Sequence, residues 1–192
     1  MGADLNIVLL HDGMVDKHQH PITASLTLID LPDIARSART YGVSTFSVAH
    51  SSAAMRKLTR TIKAHWDEGY GSTYNPNRKE ALDIARIVAS LDDVIAEIDQ
   101  RTGQLPMLVA TSARDGGKRV KFSELREQLK SDTRPYLLML GTGWGMSEEL
   151  LQRADMFLEP IHGPTDFNHL SVRSACAIML DRLVGREITG GI

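Results

Sequence analysis

Apolar runs and amphipathic stretches take turns along this chain. Leu5 to Leu10 is an unbroken apolar run, too short for a helix, and reads as a buried strand. His11 to Pro21 is polar and reads as a loop. Asp33 to Tyr41 carries helical periodicity, with starts available at Asp30 or Asp33 and a stop at Gly42. Val43 to Ala49 is strand-like. Ser51 or Ser52 caps a helix running to about Glu68, and Gly69 to Asn77 reads as a loop. Arg78 to Ile87 predicts a helix, Val88-Ala89 a short strand, and Asp92 to Gln100 another helix. Pro106 to Thr111 is a strand, and Ser123 caps a helix ending at Leu129. Tyr136 to Leu140 is a strand, Ser147 to Arg153 a helix, Met156 to Leu158 a short strand, and Leu170 to Leu183 an apolar helix. This alternation predicts an α/β fold, a single domain over 1–192 with a mainly parallel sheet flanked by helices.

Hydrophobic residues make up 42% and charged residues 24% of 192 residues, enough to bury a core without staples. The one cysteine, Cys176, excludes an internal disulfide and reads as a small buried apolar residue. No basic segment precedes Leu5 to Leu10, and that run is far too short to span a membrane, so a cytoplasmic protein is expected. The net charge of −2 argues weakly against a nucleic-acid partner, but its distribution argues for one. From Ile34 to Trp66 there are six basic residues (Arg36, Arg39, Arg56, Lys57, Arg60, Lys63) and no acid. That leaves 16 basic against 24 acidic residues elsewhere. A basic face that meets phosphate and an ordinary solvated helix face both fit this stretch.

The most informative segment is Leu137-Leu138-Met139-Leu140-Gly141-Thr142-Gly143-Trp144-Gly145-Met146. A strand opens into three alternating glycines, whose lack of a Cβ lets a ligand approach the backbone closely. Ligands in parallel sheets bind beyond the carboxyl ends of strands, and Thr111-Ser112-Ala113-Arg114 lies at a second such end. Two readings follow. A Rossmann-type methyltransferase would use this turn for its cofactor and Glu159, 18 residues after Gly141, for the ribose. That fold needs further βα units, yet one short strand and one helix remain.

The second reading joins three separated blocks: Arg36-Ser37-Ala38-Arg39-Thr40-Tyr41-Gly42, then Leu140 to Met146, then Ile161-His162-Gly163 through His169-Leu170-Ser171-Val172 to Leu180. In this order they resemble the SPOUT superfamily of RNA methyltransferases, across essentially the whole chain. The wording at Asp33-Ile34-Ala35-Arg36, Thr111 to Arg114, Gly141 to Gly145 and Asn168 to Arg173 resembles a small bacterial group related to tRNA guanine-N1 methyltransferases. The resemblance implies a C-terminal deep trefoil knot, S-adenosylmethionine as cofactor, an RNA substrate (tRNA or rRNA) and a homodimer. It assigns the cofactor to backbone groups at Thr111, Ser112, Gly141, Thr142, Gly143, Trp144, Gly145, Pro160, Ile161, His162, Gly163, His169, Leu170 and Ser171. Arg36 is the expected catalytic residue, by orientation and electrostatic stabilisation, and the resemblance places it at the cofactor pocket of its own or the neighbouring subunit. Arg39, Arg114 and Asn168 are the expected substrate contacts. His162 or His169 would be a base if guanine is the target.

The ribose-methylating branch usually has an Asn-Gly pair before the arginine and a glutamate in the second motif. Here Leu31-Pro32-Asp33 and Thr142 with Trp144 stand there, so base N1 and ribose 2′-O both stay open. His11, Asp12, Asp16, His18 and His20 match no standard zinc spacing, and no metal is expected. A protein that binds S-adenosylmethionine or RNA without turnover is the non-enzymatic alternative.

Overall fold

The computed structural model describes residues 2–67, 76–113 and 118–186. Six parallel strands form one sheet: β1 (Asp4–Leu10), β4 (Thr45–Ala49), β5 (Ala85–Val88), β6 (Met107–Ala110), β7 (Pro135–Gly141) and β8 (Met156–Phe157), ordered β5-β4-β1-β7-β6-β8. The chain first moves outward from β1 to β5. It then crosses to β6, returns inward so that β7 lies against β1, and ends at the edge with β8. The seam between the halves is the β1–β7 pairing, in register from Asp4 opposite Pro135 to Leu10 opposite Gly141. Both central strands are buried on both faces, which is why they read as continuous apolar runs.

Helices cover both faces. On one side α1 (Asp30–Thr40), α3 (Pro76–Leu82), α5 (Phe122–Ser131) and α7 (Val172–Val184) pack Ile34, Leu82, Leu125 and Leu180 onto Ile7, Leu9, Phe46 and Leu138. Ile62 and Trp66 of α2 (Ala53–Asp67) join that layer. On the other side α4 (Leu91–Thr102) and α6 (Glu148–Leu151) bring Val94, Ile98 and Leu150 onto Val8, Leu10, Leu137 and Met139. In α1 the buried set Leu31, Ile34, Ala35, Ala38 repeats at the i, i+3, i+4, i+7 positions of one helical face. Helix α4 is bounded by a capping box, Ser90 with Asp93, and by Gly103 in the left-handed conformation at φ 72°.

Several predicted boundaries shift. The helix expected over Arg78 to Ile87 is shorter: α3 starts with Pro76 and stops at Leu82. Strand β5 takes Ala85–Val88, where Phe46 to Ala49 offer backbone partners, so the strand expected at Val88-Ala89 lies further upstream. Tertiary pairing overrides the helix preference of Ala85 and Arg86. Pro76 and Asn77 therefore belong to a helix, and the rest of the expected loop lies outside the described residues. Helix α5 starts at Phe122 rather than after Ser123, because Phe122 N–H donates to Glu159 Oε1 at 2.6 Å. Helix α7 starts at Val172, with Ser171 as its N-cap, and Leu170 is left exposed. The stretch His11 to Pro21 is not a plain loop. It holds a two-residue antiparallel ladder, β2 (Met14–Val15) with β3 (Pro21–Ile22).

Leu138 is 1% exposed between the two helical layers. Leu138→Ala is expected to cost about 2–5 kcal/mol in urea unfolding. Leu105→Ala, at a position 63% exposed, should change stability by no more than about 0.5 kcal/mol. Equal losses at both positions would contradict this core.

Candidate functional site

All six parallel strands end at one edge of the sheet, and the glycine turn sits at its centre. Leu10 lies opposite Gly141, and Thr142 Oγ1 donates to the Leu10 carbonyl at 3.0 Å. The turn is stapled to the segment following β1. Trp144 N–H donates to Val15 O at 3.3 Å, Val15 N–H to Gly145 O at 3.0 Å, and Ser147 N–H to Gly13 O at 2.7 Å. Gly143 and Gly145 have φ of 61° and 107°, a region that side chains with a Cβ rarely adopt. At Gly141 the constraint is space, since an added Cβ would lie 3.0 Å from Met146 Cγ. The β2–β3 ladder therefore braces the turn, and Trp144, 56% exposed, is carried outward at its tip.

Two further segments meet at this edge. After β6, Thr111 Oγ1 donates to Met139 O at 2.8 Å, and Ser112 follows half-buried. After β8, Pro160 is buried, Ile161 packs on the core, and His162 and Gly163 face solvent. Asn168 Nδ2 donates to Ala113 O at 3.2 Å, tying the segment before α7 to the end of β6. His169 lies edge-on to Phe167 at 5.4 Å, and Leu170 is exposed. Ser171 Oγ accepts from Ser174 N–H at 3.3 Å and caps α7. The glycine turn of the second block and the start of the third thus lie at the same edge of the sheet. Arg114 lies outside the described residues.

The backbone is open at two glycines of these segments. A Cβ added at Gly145 or at Gly163 would meet nothing within 4 Å. The backbone there is open to a molecule gripped by main-chain groups, as an adenosyl cofactor requires. Glu159, the ribose partner of the Rossmann reading, is committed elsewhere: its carboxylate accepts from Phe122 N–H at the start of α5.

Arg36 lies in a groove between α1 and α7 of about 500 Å³, lined among others by Asp33, Ser37, Arg173 and Ser174. Its Nη2 donates to Asp33 Oδ1 at 2.6 Å. Arg173 Nη1 donates to Asp30 Oδ1 at 3.0 Å, and its Nε lies 3.7 Å from Asp33 Oδ2. Arg173 stands in the third block but was not singled out; the buried Asp30 that anchors it becomes visible only when α1 and α7 are packed together. Arg39 turns away from this groove and pairs with Glu80 at 2.6 Å.

The His/Asp-rich stretch after β1 divides. His11 is fully buried and stacks on His50 with ring centroids 5.3 Å apart, and neither of its ring nitrogens has a hydrogen-bond partner among the described residues. Burial pushes its pKa below the ordinary histidine value, and the His50 ring adds to that against Asp12 and Asp30. Burial also pushes the Asp12 carboxyl up, but hydrogen bonds from Ser51 and Thr23 outweigh it and hold the group below the usual carboxylate range. Asp16 instead accepts from the His18 and His20 amides. Among the described residues no three His, Cys, Asp or Glu side chains are grouped to hold a metal ion. Cys176 is buried, which pushes its thiol up to about 12.

A family model described as SAM-dependent RNA methyltransferase matches residues 4–185. The chain belongs to this family. S-adenosylmethionine is its cofactor, and methyl transfer to RNA its class of reaction. It is 40% identical over 181 residues to an uncharacterized protein of Aquifex aeolicus, covering 94% of this chain and 88% of that one. It is 41% identical over 184 residues to a tRNA (guanine-N(1)-)-methyltransferase of Nitratidesulfovibrio vulgaris, covering 96% of this chain. The chain spans only 43% of that relative's length. Among solved structures it resembles the SpoU methyltransferase AviRb from Streptomyces viridochromogenes in complex with AdoMet, with a TM-score of 0.59 at 18% identity. That match covers all of this chain and 60% of AviRb, and shows that the two share a fold.

The lowered pKa of buried His11 has a pH-dependent consequence for stability. A depressed pKa means that the unfolded chain binds this proton first. Stability is therefore fully present above about pH 6.5, the unfolded value, and is lost as pH falls through the folded pKa. Urea midpoints should drop over that window, and His11→Phe should flatten the drop. An unchanged pH profile in the variant would remove His11 as its source.

Proposed function

We propose that this chain acts as a SPOUT-type enzyme, a cytoplasmic homodimer that methylates an RNA, with tRNA the first substrate to test. The observation that carries the reading is the convergence of three backbone segments, Thr111–Ala113, Gly141–Gly145 and 160–171, at the carboxyl edge of the sheet. The tRNA substrate is suggested by the name of a relative more than twice as long as this chain. The deep trefoil knot of SPOUT domains belongs to the same proposal, supported by the packing of α7 against both α1 and α5.

When bound, S-adenosylmethionine supplies an electrophilic methyl group on a sulfonium, so the protein needs no metal. Backbone groups at Thr111, Ser112, Gly141 to Gly145, Pro160 to Gly163 and His169 to Ser171 hold its adenine, ribose and methionine parts. Open space at Gly145 and Gly163 makes that close approach possible. Arg36, held by Asp33, orients the target by its phosphate and stabilises charge as the methyl moves. Arg39 and Asn168 supply further RNA contacts. For a guanine N1 the proton must leave, and the exposed His162 and His169 flank the place where it would be taken up. The dimer reading is supported by the open groove between α1 and α7 and by exposed Leu28, Ile29 and Leu170 at the starts of these helices.

Gly163 gives the sharper test of the cofactor site, because its φ is not in the left-handed region and its Cβ direction is empty. Gly163→Leu should unfold at the wild-type temperature yet bind S-adenosylhomocysteine at least about tenfold more weakly, a loss of about 1.4 kcal/mol in calorimetric titration. Wild-type affinity in the folded variant would move the cofactor elsewhere. Arg36→Ala should keep that affinity while kcat for methyl transfer to tRNA transcripts falls roughly a hundred- to a thousandfold. An unaltered kcat would remove Arg36 from the mechanism.

A further inference from the structure

Helix α2 runs back from the end of β4 and is loosely held. Among its described side chains Thr59 alone is buried, and Ile62 and Trp66 rest on the core from its far half. Ala53, Lys57, Arg60, Thr61 and Ala64 are exposed and share one face, at i, i+4, i+7, i+8 and i+11. That face combines small side chains with two cations, so a polyanion can approach the helix surface without a bulky obstruction.

The arginines of this helix differ from those that meet a carboxylate elsewhere. Arg36, Arg39, Arg101, Arg153 and Arg173 each sit against a carboxylate, from Asp33, Glu80, Asp4, Asp92 and Asp30 respectively. Among the described residues Arg56 and Arg60 do not. Arg56 Nη1 donates to the His50 carbonyl at 2.8 Å and also to that of Ser51, and Arg60 Nη2 donates to the Ile87 carbonyl at 3.1 Å. A carbonyl orients a guanidinium without cancelling its charge. Lys57 is exposed beside them. Asp12, bonded to Ser51 just before α2, is already occupied by the Ser51 amide and hydroxyl and by Thr23. His50 and Ser51 follow β4, and Ile87 lies in β5, so these guanidiniums are held against the end of the sheet where β1 and β7 carry the glycine turn.

We propose that the Arg56, Lys57 and Arg60 face of α2 is a docking surface for the phosphate backbone of the substrate RNA, which then crosses the carboxyl edge toward the glycine turn. This rests on the RNA reading above and adds where the RNA lies. Carbonyl-anchored arginines are pre-ordered, so little side-chain entropy is lost when they meet phosphate. The occupant is a polyanion with regular charge spacing, matched to cations along a helix roughly 22 Å long at 1.5 Å per residue.

The test is tRNA-transcript binding by fluorescence anisotropy over a range of salt, for wild type, R56Q/K57Q/R60Q and R56K/R60K. The logarithm of affinity falls with the logarithm of salt by about 0.7–0.9 per phosphate contact. Removing three charges should therefore lower the slope by about two to three. The charge-preserving R56K/R60K should keep most of the slope, although its carbonyl contacts are altered. K130Q/R134Q, at the opposite edge of the sheet, should leave the slope unchanged. A wild-type slope in R56Q/K57Q/R60Q overturns this surface and leaves the methyltransferase reading standing. Absence of tRNA binding by wild-type protein that still binds S-adenosylhomocysteine overturns the tRNA substrate and this surface together. Competition by polyglutamate as strong as that by RNA would assign the face to an acidic protein instead.

Discussion

The pairing of β1 with β7 is the constraint on which the rest of the structure depends. It joins strands about 130 residues apart in the chain, with Leu5 to Leu10 laid along Tyr136 to Gly141. Each strand is buried on both faces, so a slip of one residue would turn every side chain to the wrong layer. The same register sets Thr142 against the Leu10 carbonyl and the glycine turn against Gly13 to Val15. The seam that closes the core is thus also the seat of the site.

The two edges of the sheet divide the work. At the amino edge, polar groups are locked to one another. Arg101 reaches Asp4 and Asn6, Asn6 accepts from Thr45, and Asn6 Nδ2 reaches Tyr136 O. Burial pushes the Asp4 carboxyl up, but hydrogen bonds from Arg101, Ser44 and Asn6 more than offset it. At the carboxyl edge the backbone is left open by Gly145 and Gly163, and exposed Trp144 and Phe167 stand above it. A rigid end and an accessible end on the same strands are what a backbone-reading site requires.

Much of this was legible in the sequence. The strands at Leu5 to Leu10 and Tyr136 to Leu140 declare themselves because burial on both faces leaves no polar position. The three ordered blocks carry the family resemblance; folding sets the second and the start of the third at the carboxyl edge and packs the first, on α1, against α7. Other features depend on pairing between distant segments. Locally only Ile87 and Val88 favour a strand, Ala85 and Arg86 suit a helix, and the partner β4 decides where β5 begins. The β2–β3 ladder is only two residues deep and is fixed by the glycine turn it braces. Glu159 has the spacing of a ribose ligand but caps α5, a role visible only once Phe122 stands beside it. Arg36 and Arg39 look alike on one helix, yet α7 lies over the first and Glu80 captures the second.

Hydrogen–deuterium exchange with and without saturating S-adenosylhomocysteine tests the central claim most directly, because the claim concerns backbone groups at one edge of the sheet. Slower exchange at 111–113, 141–145 and 160–171, with the amino-edge amides around Arg101 unchanged, is the result the account predicts. Protection that spares all three segments while the ligand is bound would contradict it.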